Sequence, residues 1–93
     1  MDKLELAVMR AEQAQALNTN PMFERAFADT RTAILETWAS LDTSESERAK
    51  DLHRMLKALD RVRKCVQTHI DTGKLAQKEI EGRAMRLNPF RRA

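Results

Sequence analysis

The stretch from Glu45 to Thr72 reads ESERAKDLHRMLKALDRVRKCVQTHIDT. Leu52, Met55, Leu56, Leu59, Val62, Val66 and Ile70 recur in it at helical spacing. Lys50, Arg54, Lys57, Arg61 and Lys64 recur at steps of four, three, four and three. Both spacings belong to an α-helix and set the two groups on opposite sides of it. One side must pack on something and the other shows a cationic row. Nothing in this pattern is catalytic, so the stretch points to an assembly or binding protein.

The apolar side is wide. With Leu52, Leu59 and Val66 at heptad position a, Met55, Val62 and His69 fall at d, and Leu56, Arg63 and Ile70 at e. A stripe over a, d and e suits a three- or four-helix bundle better than a two-stranded coiled coil. Arg63 and His69 interrupt its C-terminal half. They mark either a wet end of the core or a contact with another chain. A helix over 45–72 is about 42 Å long, and a helix over 21–40 reaches only about 30 Å along it. The last turns therefore need cover from a fourth helix that follows it in the chain or from a second subunit.

Working outward, Asn20-Pro21 opens a helix over 21–40, with Asn20 as N-cap and Pro21 where its missing N–H costs nothing. Phe23, Phe27, Ile34 and Trp38 share one face of it and are the expected centre of the core, with Ala26, Thr30, Ala33 and Thr37 at its edges. Together with Leu52, Leu56, Leu59, Val62, Val66 and Ile70 they form the core or the self-association surface. Ahead of this hairpin, a weak alanine-rich stripe predicts a helix over 2–17 that is the least stable of the set. Ser44-Glu45-Ser46-Glu47 reads as a capping box in which Ser44 and Glu47 bond each other's backbone N–H. Gly73 is expected to end the long helix as a left-handed cap. Leu75, Ile80, Ala84 and Leu87 then predict a fourth helix over 74–87, and Asn88-Pro89 ends it. Residues 88–93 are expected to form a basic mobile tail.

Ninety-three residues allow one domain, expected over 1–87. A chain this short buries roughly 60–65% of the surface its unfolded form exposes, so its core is thin. With two glycines, two prolines and no tyrosine, the composition supports an all-α fold: a helical hairpin or small bundle around one long central helix, in an oligomer. The net charge of +3 is uneven. Residues 1–47 hold four Lys/Arg against nine Asp/Glu, and residues 48–93 hold thirteen against five. Such polarity suits head-to-tail association, an anionic partner, or an acidic first half folded on a basic second half.

The single cysteine, Cys65, excludes an intrachain disulfide and reads as a reduced thiol packed in the long helix. Cys65 and His69, four apart, offer two ligands where zinc needs three or four, and His53 lies about 24 Å away along the same helix. No metal or cofactor is expected. Acidic residues interrupt the N-terminal apolar positions, which argues against a signal peptide, and no apolar run approaches the ~20 residues of a membrane span. Phosphate-binding glycine loops, serine–histidine neighbours and Glu-x-x-His pairs are missing from the sequence, which argues against an enzyme.

Several local sequences occur together: Asn20-Pro21-Met22-Phe23-Glu24-Arg25-Ala26-Phe27, then Trp38, then Leu56-Lys57-Ala58-Leu59-Asp60-Arg61-Val62-Arg63, then Thr72-Gly73-Lys74-Leu75-Ala76. In this order they resemble a group of small helical proteins of tailed bacteriophages and prophages, encoded near the genes for capsid and DNA packaging. The resemblance covers residues 20–81 and rests on helix-packing patterns, so no activity or ligand residue comes with it. It implies a phage context, in the host cytoplasm or with the virion, and a role in virion assembly.

The row Lys50, Arg54, Lys57, Arg61 and Lys64 has three readings. It is a solvated outer face, a contact for the acidic surface of a phage or host protein, or a track for nucleic acid. Solvated faces normally mix glutamate with lysine for i,i+4 pairing, and no acidic residue stands in this row. Duplex binding would be steeply salt-dependent, yet no compact helix-turn-helix is evident. The expected function is therefore protein–protein contact in virion assembly. The alternatives are a DNA-binding packaging accessory and a small inhibitor or adaptor of a host protein.

Overall fold

The computed structural model describes residues 1–87, and the basic tail expected over 88–93 lies outside them. The fold is all-α: α1 (Lys3–Asn18), α2 (Pro21–Ala39) and α3 (Ser46–Leu87), with no strand among the described residues. Two compact units form. One joins α1 to α3 from Val66 onward, and the other comprises Asn18–Cys65.

In the second unit, α2 starts as its sequence requires. The Asn20 side chain accepts from the N–H groups of Met22 and Phe23, at 2.8 and 3.1 Å, and Pro21 opens the helix. Phe27, Ile34 and Leu52 are buried. Phe23, Leu56 and Leu59 are half-buried around them, with the Phe23 and Phe27 rings 5.7 Å apart. Arg31 pairs with Asp60 at 3.0 Å, and Arg63 pairs with Glu24. Arg63, which interrupts the stripe, is thus held within this unit. Its guanidinium lies 5.0 Å from the centre of the Phe27 ring.

Two expected core residues are displaced. Trp38 is 38% exposed, because it sits in the last turn of α2 opposite Ala49, too small to cover an indole. Its ring meets His53 edge-on at 6.0 Å. Val62 is 51% exposed and Met55 52%. Positions a and e of the stripe carry the buried and half-buried residues of this unit, and one neighbouring helix leaves position d open.

The start of α3 is also shifted. The expected Ser44–Glu47 box gives way to a turn in which Glu45 N–H donates to the Asp42 carbonyl at 3.0 Å. The Glu45 carboxylate accepts from Asp42 N–H at 2.9 Å, the same reach-back made two residues earlier.

The break expected at Gly73 does not occur. The helices predicted over 45–72 and 74–87 are one helix of 42 residues, about 63 Å long. No glycine has a positive φ, so Gly73 is no left-handed cap. Its missing side chain admits α1 instead: a β-carbon there would lie 2.0 Å from Ala11 Cβ and 3.2 Å from the Ala7 carbonyl oxygen. Ala14, Ile70, Gly73 and Ala76 are buried in this unit and Val66 is half-buried. α1, the helix with the weakest apolar stripe, covers these turns, where the expectation was a fourth helix that turns out to be the continuation of α3 itself.

A candidate contact surface on the second unit

Lys50, Arg54, Lys57, Arg61 and Lys64 are all exposed on the side of α3 turned away from Leu52 and Leu59. The row is less purely cationic in space than along the chain. Lys50 pairs with Glu47 at 3.1 Å and Arg54 with Asp51 at 2.8 Å, both three residues back on the same helix. The expectation that no acid interrupts the row therefore fails for its first half. Helix neighbours at i−3 lie close enough to bond even when they stand outside the row. Among the described residues Lys57 and Arg61 have no ion-pair partner, so the uncompensated charge lies in the second half.

Beside this row runs an apolar flank. Met55, Ala58, Val62 and Cys65 are exposed on neighbouring turns of α3. Cys65 is thus a surface thiol and not a packed one. From Arg54 onward the row, with Ala58, Val62 and Cys65 of the flank, lines an open groove of about 880 Å³ that also takes in Arg31 and Asp60. A second depression of about 430 Å³ lies over Trp38, Ala49, Lys50, His53 and Arg54. Both are open to solvent, the form of a surface that meets another surface rather than of a pocket that encloses a small substrate.

The outer face of α2 carries a feature that the sequence pattern does not single out. Ala26 and Ala33 are exposed, and so are Asp29 and Glu36, each pair seven residues apart. Thr30 and Thr37 turn their hydroxyls back onto the carbonyls of Ala26 and Ala33, both at 2.8 Å. Ala26 and Ala33 therefore belong to the outer face and not to the edges of the apolar one.

Cys65 and His69 are both exposed, and the described residues contain no group of three or more His, Cys, Asp or Glu placed to hold a metal ion. Among the described residues no helix is long and apolar enough to cross a membrane. The chain matches no known protein family, no characterised protein and no solved structure.

Proposed function

We propose that this is a non-enzymatic protein that acts by protein–protein contact, in virion assembly as its resemblance to small phage proteins implies, and that it self-associates. One observation carries the reading: Met55 and Val62 are each about half exposed beside a cationic row. A protein partner would bury the apolar flank and pair the cations together. Burying such side chains contributes about 25 cal/mol per Å² of apolar area removed from water. Affinity capture of the tagged chain from virion-producing bacteria tests this. Virion proteins or capsid precursors are expected; a host enzyme in their place would favour the inhibitor or adaptor reading.

A second reading, a DNA-binding packaging accessory, is favoured by Lys57 and Arg61, which have no ion-pair partner among the described residues. It leaves Met55 and Val62 unused. It expects duplex DNA retention that falls steeply with salt and weakens when Arg54, Lys57 and Arg61 become alanine. Absence of retention at low salt would exclude it.

A further inference from the structure

We propose that the outer flank of α3 in one copy docks on the outer face of α2 in a second copy, with the two helices antiparallel. Arg61 then meets Asp29 and Arg54 meets Glu36, while Val62 and Met55 seat against Ala26 and Ala33. This rests on the protein-contact reading above and names the occupant of that surface.

Three observations carry it. The first is matched spacing. Met55 and Val62 are seven residues apart, as are Arg54 and Arg61; so are Ala26 and Ala33, and Asp29 and Glu36. All eight side chains are exposed. Two large apolar side chains on one face thus meet two small ones at the same interval, about 10.5 Å along a helix.

The second is rotational sense. Turning from the apolar row to the charged row goes the same way round both helices, by about 100° on α3 and about 60° on α2. Like-handed rows face each other only when the helices run antiparallel. The second unit already contains that arrangement, since Glu24 pairs with Arg63 and Arg31 with Asp60 across α2 and α3. The proposed pairs lie at the same height along the helices. A second copy set alongside therefore repeats the antiparallel pairing that the chain makes internally.

The third is charge. Arg61 and Glu36 have no ion-pair partner among the described residues. Among those residues Asp29 is held by Arg25 alone, at 3.4 Å and well exposed. Arg54 bonds Asp51, yet a guanidinium has five N–H donors and keeps others for Glu36. The two halves of the contact are different surfaces of one molecule, so the association is head-to-tail and grows into an open array or closes as a ring.

Charge reversal tests this in a way that folding defects cannot imitate. Arg61→Glu faces Asp29 of the next copy with a like charge, and Asp29→Arg faces Arg61 likewise. Each variant alone should associate roughly tenfold more weakly than the wild type, or worse, by sedimentation velocity at low salt. Mixed together, the two variants should associate again. The carboxylate introduced in one then meets the guanidinium introduced in the other at one joint, and the native Arg61 and Asp29 meet at the next. Circular dichroism checks that both remain helical. A wild type that stays a single chain, or a mixture no more associated than its components, overturns the contact. Either result leaves the capture experiment free to support an assembly role with other proteins. A failed capture alongside restored association would overturn that role and keep this contact.

Discussion

Gly73 and Ala11 touch so closely that a β-carbon on Gly73 would fall 2.0 Å from the β-carbon of Ala11. Two helices approach this far only where one offers no side chain. The same glycine sits inside a continuous helix, where it costs about 1 kcal/mol relative to alanine. The fold keeps it for the approach of α1, and α1 is otherwise a poor helix for packing.

Gly73→Ala and Gly82→Ala should therefore move stability in opposite directions. At Gly82 the nearest atom to an added β-carbon is a guanidinium nitrogen of Arg86, 3.9 Å away, so the space is open. Gly82→Ala should stabilise by up to about 1 kcal/mol from helix propensity. Gly73→Ala gains the same term and loses more, since overpacking against a backbone that cannot move aside costs about 1–3 kcal/mol or more. Thermal denaturation followed by circular dichroism reads both signs. A stabilised Gly73→Ala would mean that α1 does not lie against this position.

Arg63 should couple to Glu24 and Phe27 together. It pairs with one and lies 5.0 Å from the ring of the other, with a side chain 42% exposed. A partly exposed ion pair contributes about 0–1 kcal/mol, and an exposed cation–π contact about 0.5–1 kcal/mol. Double-mutant cycles in chemical denaturation should give couplings in these ranges. Only the Glu24 coupling should fall substantially with salt. Arg63→Lys should weaken the Phe27 coupling, because an ammonium is more strongly hydrated than a guanidinium. Equal salt sensitivity of both cycles would contradict this geometry.

Phe27→Ala and Trp38→Ala should separate clearly. Phe27 is 8% exposed, and truncating a buried Phe costs about 3–5 kcal/mol. Trp38 is larger but 38% exposed, so its truncation should cost distinctly less. Urea titrations of the two variants rank them. Trp38→Ala equal to or worse than Phe27→Ala would return Trp38 to the centre of the core.

Asn20→Ala should cost about 1 kcal/mol, since one carboxamide oxygen satisfies two N–H groups at the start of α2. Asn20→Asp should retain most of that stability. The comparison in chemical denaturation isolates the cap from any change in packing.

What is legible in the sequence follows from which interactions are local. Periodicity and capping are local, so the all-α fold, the Asn20-Pro21 start and the buried set Phe27, Ile34, Leu52 and Ile70 can all be read from it. Gly73 misleads because a helix-ending glycine and a close-packed glycine look alike until the partner at Ala11 is known. Trp38 misleads because its cover depends on Ala49, across the turn. The basic row is exposed, as its spacing predicts. The pairing of Lys50 with Glu47 and of Arg54 with Asp51 escapes a reading of the row because those acids stand outside it. The matching face on α2 is hidden because alanine at a core edge and alanine on an outer surface carry the same pattern.

An outer flank of α3 covered by another copy of the chain makes the mass in solution depend on concentration. Sedimentation equilibrium over a wide concentration range tests it most directly. The mass should rise above the 10.7 kDa of one chain, and a Val62→Glu variant should stay at that mass while keeping its helix content. A wild-type chain that holds the single-chain mass at every concentration would contradict it.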